Sequence, residues 1–318
     1  MSSRRDNNNT KLDDAARAGW LYYIAGNTQD EIAAKLGVSR QSAQRLVSLA
    51  VTEGLVKVRL EHPIANCLDL ASRLKQRFGL RFAEVVPTDP ASSSTTLGVA
   101  EAGAEEMARW LKSASPIVMA IGTGRTLKAA IEQLSPMQCP QHRIVSLAGS
   151  IAPDGSAAFY NVIFNIADSI QARSFPMPVP VIASSREERA LLHAQPMICA
   201  ALELGAKADV TFLGIGELGD DAPLYVDGFV TEDELKALRK AGGVGEILGW
   251  TFDGEGRLIE GLTNERVASA PIPGGSEALV IAIAKGRKKQ PAIAAAVKGR
   301  LVNGLITDEA TAEALLRE

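Results

Sequence analysis

Short apolar runs and amphipathic segments alternate along most of the chain beyond residue 65. Apolar residues recur at helical spacing in segments such as 66–78, 97–113 and 127–134, which predicts helices. A run at 176–183 is predicted to be extended, and buried strands are predicted at 82–86, 117–121, 143–148, 210–215 and 278–284. Strands that alternate with helices imply a mainly parallel sheet covered on both faces. The pattern therefore predicts an α/β fold with a doubly wound sheet.

The segment 12–56 has the apolar spacing of three helices and precedes this pattern. Thr28 and Glu31 have the capping-box spacing at the start of the second helix, and Gly37 follows its end. Ser39 is placed to cap the third helix, whose predicted inner face is formed by Ala43, Leu46, Val47 and Ala50. The N-terminal segment is therefore predicted to be a separate helical domain.

A short helix, a glycine-containing turn and a second helix form the helix-turn-helix pattern. The second helix of this motif enters the major groove of DNA, where Arg and Gln bind base edges. The predicted DNA-contacting residues are Ser39, Arg40, Gln41, Ser42, Gln44 and Arg45. A three-helix bundle with a solvated polar face is the alternative, but the phrase T-Q-x-E-I-A-x-x-L-G-V-S-R favours DNA binding. Residues 54–60 alternate like a short strand, as a wing or as the lead into the next domain.

Length and charge support this division. The 318 residues are enough for two domains, predicted at 1–60 and 61–318. The first has a net charge of +3 and the second of −6, which fits nucleic-acid binding at one end, although chance also produces so small an excess. The N-terminus lacks a signal-peptide core, no apolar run is long enough to cross a membrane, and the three dispersed cysteines suit a reducing compartment. We therefore expect a cytoplasmic protein.

Three predicted strands end in short loops rich in glycine and polar residues. Ligands of parallel sheets bind beyond the carboxyl ends of the strands, where glycine lets the backbone approach them. Successive N–H groups at a helix N-terminus favour an anion. A ligand is therefore expected at Gly122, Thr123, Gly124, Arg125, Thr126, Gly149, Ser150, Gly216 and Glu217. For any single loop, a tight strand-to-helix turn without a ligand is the alternative.

The first of these loops matches neither common nucleotide-binding motif. Leu127 occupies the place of the third glycine of a dinucleotide fingerprint, and no G-x-x-x-x-G-K-[ST] sequence occurs there. The cysteines and the histidines also lack the spacing of metal ligands. The sequence therefore predicts neither a nucleotide cofactor nor a metal ion.

Three segments, 122–126 (GTGRT), 245–257 (GEILGWTFDGEGR) and 301–316 (LVNGLITDEATAEALL), occur behind the helix-turn-helix pattern. In this combination the chain resembles the SorC family of bacterial sugar-responsive transcription regulators, along nearly its whole length. The resemblance implies a C-terminal effector domain like glucosamine-6-phosphate deaminase and ribose-5-phosphate isomerase. It also implies a carbohydrate effector, often phosphorylated, and a dimer or tetramer on double-stranded operator DNA.

The same resemblance implies which residues bind the effector. Residues 122–124 and Thr126 match the first loop of the family, Gly149 and Ser150 the second, and Lys289 the lysine that faces an effector phosphate. Lys285-Gly286-Arg287 stands where the family has a glycine pair. The candidate hydroxyl acceptors are Asp227 and Glu246, for which an ordinary surface carboxylate is the alternative.

Both effector classes remain open at this point. Arg125 and Lys289 suit a phosphate, whereas carboxylate and amide acceptors suit a neutral polyol such as sorbitol or mannitol. The sequence predicts a DNA-binding regulator of a carbohydrate or polyol catabolic operon, controlled by a sugar, sugar phosphate or polyol. The alternative is a sugar-phosphate isomerase or deaminase with a fused helix-turn-helix, which needs a general acid/base pair near the sugar. His142 and His193 lie away from the glycine loops, so no catalytic residue is predicted.

Overall fold

A computed structural model of the protein describes residues 2–56, 64–89, 96–152, 154–157, 162–275 and 277–317, with side chains from residue 10 onward. The chain divides into two compact units, Met1–Pro63 and Ile64–Glu318. None of the helices in these ranges combines the length and the apolar character needed to span a bilayer.

The first unit consists of three helices, α1 (Ser2–Tyr23), α2 (Gln29–Leu36) and α3 (Arg40–Thr52). The capping box forms as predicted: the Glu31 N–H donates to Thr28 Oγ1 over 3.3 Å, and the Thr28 N–H donates to Glu31 Oε2 over 2.7 Å. A small core holds the helices together and consists of Ala18, Ile32, Ala33, Ala43 and Val47. The helical N-terminal region therefore has the form expected of a helix-turn-helix domain.

Three local predictions in this unit differ from the structure. The first helix begins at Ser2 rather than near residue 12. Val38, an apolar residue in the predicted turn and therefore expected to be buried, is instead 36% exposed, because Gly37 (φ 65°) reverses the chain in the left-handed conformation and the Val38 N–H donates to Ala33 O over 3.0 Å. Residues 53–56 form a turn and not a strand, with Gly54 at φ 67°, and the rest of the 54–60 prediction lies outside the described residues.

The second unit is built on a seven-stranded sheet, counted over its described residues, in which every neighbouring pair is parallel. Its strands are β1 (Phe82–Val86), β2 (Val118–Ile121), β3 (Arg143–Ser146), β4 (Arg173–Phe175), β5 (Val210–Leu213), β9 (Leu279–Ile283) and β10 (Gly304–Asp308). The spatial order is β1-β10-β9-β5-β2-β3-β4, so the last strand lies between the first strand and β9. The predicted parallel sheet is therefore confirmed.

Helices cover both faces of this sheet, as predicted for a doubly wound fold. One face packs against α4 (Ala65–Phe78), α9 (Pro196–Ala206), α12 (Gln290–Lys298) and α13 (Glu309–Arg317). The other packs against α5 (Leu97–Leu111), α6 (Arg125–Gln133) and α7 (Ile163–Ile170). Along β9, Val280 and Ala282 face the first set, and Ile281 and Ile283 face the second. Each strand of the sheet interior is therefore buried from both sides.

A smaller antiparallel element stands beside the main sheet. It consists of β6 (Gly216–Glu217), β7 (Gly243–Ile247) and β8 (Trp250–Asp253), accompanied by α8 (Arg186–His193), α10 (Pro223–Val226) and α11 (Glu232–Lys240). A separate small core is formed there, with Leu218, Leu224, Leu235 and Val267 among its members. Neither this hairpin nor α7 was predicted. The run 176–183 is not a strand of the main sheet but makes isolated bridges such as Ile182↔Val267.

Candidate functional site

A cavity of about 80 Å³ lies beyond the carboxyl ends of β2 and β5, with room for several water-sized groups. We call it the strand-end cavity. Its lining residues come from the loops after β2, β3 and β5, from α10 and the segment after it, from the β7–β8 turn, and from the turn before α12. They are Thr123, Gly124, Arg125, Thr126, Gly149, Val181, Gly214, Ile215, Gly216, Pro223, Leu224, Asp227, Phe229, Glu246, Leu248, Gly249 and Lys289.

The loop after β2 presents the N-terminus of α6 to this cavity. Gly124 immediately precedes α6 with φ 128° and ψ 157°, a conformation that residues with a Cβ rarely adopt. Gly124, as the N-cap residue of α6, has no side chain that could cap the first turn. Because that turn borders the cavity, its backbone N–H groups and the helix dipole are available to an anion or to a hydroxyl oxygen.

Two glycines of the loop after β5 allow other groups to approach closely. A Cβ on Gly214 would lie 2.7 Å from the carbonyl oxygen of Thr123. A Cβ on Gly216 would lie 2.0 Å from Oε1 of Glu246. Because these two residues have no Cβ, the first loop can approach Gly214 and the Glu246 carboxylate can approach Gly216 at the cavity wall.

Glu246 is held at the wall by the antiparallel hairpin. It lies on β7 opposite Gly216, and its Oε2 accepts the Gly249 N–H over 2.9 Å. Burial raises the pKa of Glu246, while the hydrogen bond from Gly249 and the charge of Lys289 oppose the rise. The result is a fixed, desolvated carboxylate with acceptor capacity facing the cavity.

Three further charged residues surround the same space. Burial lowers the pKa of Lys289, the charge of Glu246 opposes this shift, and Arg125 adds to it. Burial also raises the pKa of Asp227, against the opposing charge of Arg125. Lys289 ends the short 3-10 turn Arg287–Lys289, directly before α12. The cavity therefore places two cationic side chains, the exposed Arg125 and the half-buried Lys289, beside two partly buried carboxylates.

Nine of the twelve predicted effector residues line the cavity, and three do not. Gly122 lies beneath the loop, where a Cβ would be 3.0 Å from a methyl carbon of Leu213. Ser150 is buried, and its hydroxyl donates to Met177 O over 2.9 Å. Glu217 accepts a hydrogen bond from the Gly219 N–H. Gly122 is therefore enclosed by packing, and the side chains of Ser150 and Glu217 are engaged in hydrogen bonds within the protein.

The apolar part of the lining was not predicted. Three segments that are distant in sequence contribute it: one with Val181, one with Leu224 and Phe229, and one with Leu248. Leu248 has φ 58° in the turn between β7 and β8, and the two-residue strand β6 sets the position of that turn. The available signal was the string GEILGW, in which a glycine three residues after an acidic residue marks a tight turn.

The predicted DNA-contacting residues divide into an outward group and a capping pair. Arg40, Gln41, Gln44 and Arg45 are exposed on one side of α3, which we call the recognition face. Ser39 instead caps α3: its hydroxyl oxygen accepts the Ser42 N–H over 3.1 Å and lies 2.9 Å from the Ser42 hydroxyl. This leaves the recognition face with two arginines and two glutamines.

Arg40 makes a weak contact with the preceding helix. Its Nε lies 3.5 Å from Oδ1 of Asp30, and both side chains are 69% exposed. Exposed pairs of this kind contribute little to stability, about 0–1 kcal/mol. The guanidinium therefore loses little when it turns to a phosphate or a base.

The two histidines that the structure describes, His142 and His193, have structural roles outside the cavity. The Ile117 N–H donates to Nδ1 of the buried His142 over 3.2 Å, and His142 Nε2 lies 3.0 Å from Leu111 O. His193 Nε2 lies 2.9 Å from Ala268 O. No group of His, Cys, Asp or Glu that could hold a metal ion occurs among the residues described.

Comparisons with known proteins agree on one family. A family model described as "Putative sugar-binding domain" matches residues 62–317. The erythritol catabolism regulatory protein EryD of Brucella abortus (strain 2308) is 34% identical over 302 residues, covering 95% of this chain and 96% of that protein. The transcriptional regulator LsrR of Enterobacter sp. (strain 638) is 30% identical over 320 residues, covering 96% of this chain and 94% of that protein.

A solved structure extends the similarity to the whole fold. The full-length sorbitol operon regulator SorC from Klebsiella pneumoniae superimposes with a TM-score of 0.69 at 25% identity, covering 96% of this chain and 99% of that chain. These relatives are transcriptional regulators, and the aligned length includes the N-terminal helices as well as the sugar-binding domain. The chain belongs to the SorC family of sugar-binding transcriptional regulators.

Proposed function

We propose that this regulator binds a small polyhydroxylated effector in the strand-end cavity and operator DNA through the recognition face. The observation that carries the proposal is the convergence of nine predicted effector residues on one cavity, from loops up to about 170 residues apart in sequence. The names of two relatives refer to erythritol catabolism and to a sorbitol operon. These names support a polyol or sugar as the effector.

The charges at the cavity favour an uncharged polyol over a phosphorylated sugar. Arg125 and Lys289 bring two positive charges and Asp227 and Glu246 two negative ones, so the charged lining is balanced. A phosphate dianion would place further negative charge beside two partly buried carboxylates whose charge the two cations already balance. Hydroxyl groups instead donate to the carboxylates and accept from the ammonium group. We therefore propose a neutral polyol as the effector class.

The remaining lining fits the carbon chain and the other hydroxyls of such a molecule. The N–H groups of the first turn of α6 and the hydroxyls of Thr123 and Thr126 offer further polar partners. Leu224 and Phe229 offer apolar contacts. A mainly apolar wall with a few well-placed polar groups is typical of small-molecule sites.

DNA binding is assigned to α3 by the exposure of its polar side. Arg40 and Arg45 can contact guanine or phosphate, and Gln41 and Gln44 can contact adenine. We propose that two copies of the N-terminal domain bind the half-sites of a pseudo-palindromic operator, within a dimer or tetramer. Effector binding then changes operator affinity by favouring one arrangement of the subunits, with a coupling of about 1–3 kcal/mol.

An enzymatic role has less support. His142 and His193 both serve the fold outside the cavity. Glu246, Asp227 and Lys289 could exchange protons at the cavity wall, but the relatives that match this chain are named as regulators. We propose that the protein senses its ligand without transforming it. Incubation of the purified protein with fructose 6-phosphate or ribose 5-phosphate should yield no isomerised product, and steady turnover would contradict this.

A calorimetric screen tests the effector class. Full-length protein is titrated with erythritol, sorbitol and mannitol and, in parallel, with erythritol 4-phosphate and sorbitol 6-phosphate. We expect one of the free polyols to bind and to change the affinity for a DNA fragment from upstream of the gene. Binding of a phosphate ester alone would overturn the neutral-polyol proposal and leave the cavity assignment intact.

Two variants test the cavity itself. Thr123→Ala and Lys289→Ala should remove the response to effector and leave effector-free operator affinity unchanged. Lys298→Ala is the matched control, because it removes one exposed lysine charge from the far end of α12, where the side chain pairs with Glu255. An undiminished response in both cavity variants would refute the assignment.

A further inference from the structure

A buried ion pair lies directly behind the turn that carries Lys289. Lys285 follows the end of β9, and its Nζ lies 3.2 Å from Oδ2 of Asp308 at the end of β10. The two side chains are 7% and 4% exposed. Taking two charges out of water costs several kcal/mol per ion, so a buried pair contributes little net stability to a fold. Neither side chain lines the strand-end cavity.

The pair belongs to a chain of hydrogen bonds that ends at Lys289. Asp308 Oδ1 accepts the Thr311 N–H over 3.1 Å, and Thr311 Oγ1 accepts the Gly286 N–H over 3.0 Å. The Lys289 N–H then donates to Gly286 O over 2.9 Å. Gly286 has φ 108°, so this backbone path depends on glycine at that position. The ion pair holds the 285–289 segment to the end of β10, the bond to Thr311 holds it to the start of α13, and the last bond closes the turn itself.

The ionised state of Asp308 is part of this arrangement. Burial opposes its ionisation, yet the hydrogen bonds from Thr311 and Lys285 hold the pKa of Asp308 below its usual value. The carboxylate is therefore charged at neutral pH and binds both the strand end and the first turn of α13. Lys288, the neighbour of Lys289 in the turn, is in contrast exposed and pairs with the exposed Asp221.

We propose that Lys285 and Asp308 are positioning residues, which set effector affinity by fixing the turn that aims Lys289 into the cavity. This inference rests on the proposed function, because it requires Lys289 to contact the effector. Loss of the pair frees the turn, and Lys289 then has to be ordered when the effector binds. In enzymes, misplacement of a group by about 1 Å lowers the reaction rate by up to about 100-fold. We expect a loss of the same order in effector affinity when Lys289 is misplaced.

The first test reports on Lys289 without any effector. Lysines of the full-length protein are reductively methylated with ¹³C, and the Lys289 signal is assigned by its loss in Lys289→Arg. In the unmodified sequence its pKa lies below the ordinary 10.5, since burial and Arg125 outweigh Glu246 and Glu217. In Lys285→Met that pKa should rise toward 10.5 because the freed side chain becomes solvated. An unshifted titration would overturn the proposal, whatever the effector proves to be.

The second test uses erythritol or whichever polyol of the screen binds the unmodified protein. Lys285→Met should weaken that binding by about 10- to 100-fold. In a Lys289→Ala background the same change should not weaken polyol binding further, because the turn then carries no lysine side chain that it could position. A cost that persists in that background would show that Lys285 acts by another route. A Lys289→Ala variant with normal effector affinity would instead refute the proposed function.

Folding defects are separated by a paired substitution. Lys285→Met alone leaves the Asp308 charge buried without its partner, which is destabilising. Lys285→Met combined with Asp308→Leu removes both charges. We expect the double variant to keep a cooperative thermal transition and operator binding but still to bind the polyol weakly. Lys285→Arg, which keeps the charge, should restore most of the affinity. A folded double variant with undiminished affinity would assign the pair to stability alone.

Discussion

The recognition face and the strand-end cavity both depend on charged side chains, but these side chains differ in their exposure to solvent. On α3 the charges are solvated: Arg40 is 69% exposed, and its contact to Asp30 spans 3.5 Å. At the cavity, burial alters the pKa of Glu246 and of Lys289, and the hairpin holds Glu246 in place. Under the proposed function, the first surface binds DNA, a highly charged polymer, and the second binds a polyol and has to distinguish it from similar small molecules.

The difference lies in when each charge is desolvated. An exposed arginine acts at long range and is screened by salt, since the Debye length is about 8 Å at physiological ionic strength. A buried carboxylate loses its bound water when the protein folds. Its oxygen atoms are therefore already fixed as acceptors, and little further water has to be removed from them when an effector binds. Operator affinity should therefore depend steeply on salt, and polyol affinity hardly at all.

The largest effect is expected on the recognition face. Arg45→Ala should weaken operator binding by about 5- to 150-fold, which corresponds to the loss of one base or phosphate contact. Arg40→Ala should act in the same direction. Fluorescence anisotropy with a labelled operator fragment measures both, and Arg73→Ala is the control because it removes an exposed, paired arginine from α4. Full operator affinity in both recognition-face variants would remove α3 from the DNA interface.

The next effect tests the backbone of the cavity. Gly124→Ala requires an alanine at φ 128°, which costs about 1–3 kcal/mol or shifts the loop. We expect polyol affinity to fall by about 10-fold, while effector-free operator binding stays unchanged. Gly242→Ala is the control, since it adds a methyl group at φ 87° where no atom lies within 4 Å. Equal losses of polyol affinity in the two variants would mean that strain, and not the loop, is responsible.

A smaller effect concerns pH. Burial raises the pKa of Glu246 above that of an ordinary glutamate, and that of Asp227 above that of an ordinary aspartate. As the pH falls through these raised values the carboxylates take up protons and lose acceptor capacity, so polyol affinity should fall several-fold in mildly acidic buffer. Calorimetry at several pH values measures this, and Glu246→Gln should flatten the profile.

The smallest effect is on stability. Burial and repulsion from Glu106 raise the pKa of Glu84 to about 7, against the charge of Arg109. A carboxyl group with a raised pKa stabilises the fold most below its unfolded value of 4.5, and this contribution is lost as the pH rises through about 7.

Glu84→Gln should therefore raise the melting temperature at pH 8 by about 2–4 °C and leave it nearly unchanged at pH 5. Thermal unfolding monitored by circular dichroism at the two pH values checks this. Glu132→Gln is the control, because its surface pair with Lys128 contributes little at either pH. A uniform shift at both pH values would contradict the assigned titration of Glu84.

Features that depend on neighbouring residues were predictable from the sequence. The capping box of Thr28 and Glu31, the cap at Ser39 and the strand-end loop with Gly124 all form as expected, because each requires contacts within a few residues. Buried strands such as β5 and β9 were also predictable, since both faces of each are covered and the residues are apolar except for Thr211.

Features that depend on distant partners were not predictable. The strand β6 has two residues, and only its pairing with β7, about 30 residues later, makes it a strand. That pairing sets Glu246 against Gly216 and brings Leu248 to the cavity. Ser150 has the same glycine-serine context as a ligand-binding loop, but its hydroxyl is taken by Met177 O, a partner that the local sequence does not reveal. The main sheet was therefore predicted better than the wall of the site.

The place of β10 in the sheet has a consequence for the newly made protein. β10 lies between β1 and β9, so the sheet stays divided until residues 304–308 leave the ribosome. The N-terminal helices need only local contacts and can fold roughly 250 residues earlier, which at about 5–20 residues per second is about 12–50 s. A nascent chain can therefore form its N-terminal helical domain well before its main sheet is complete. Premature termination before β10 would release a chain with N-terminal helices and a divided sheet.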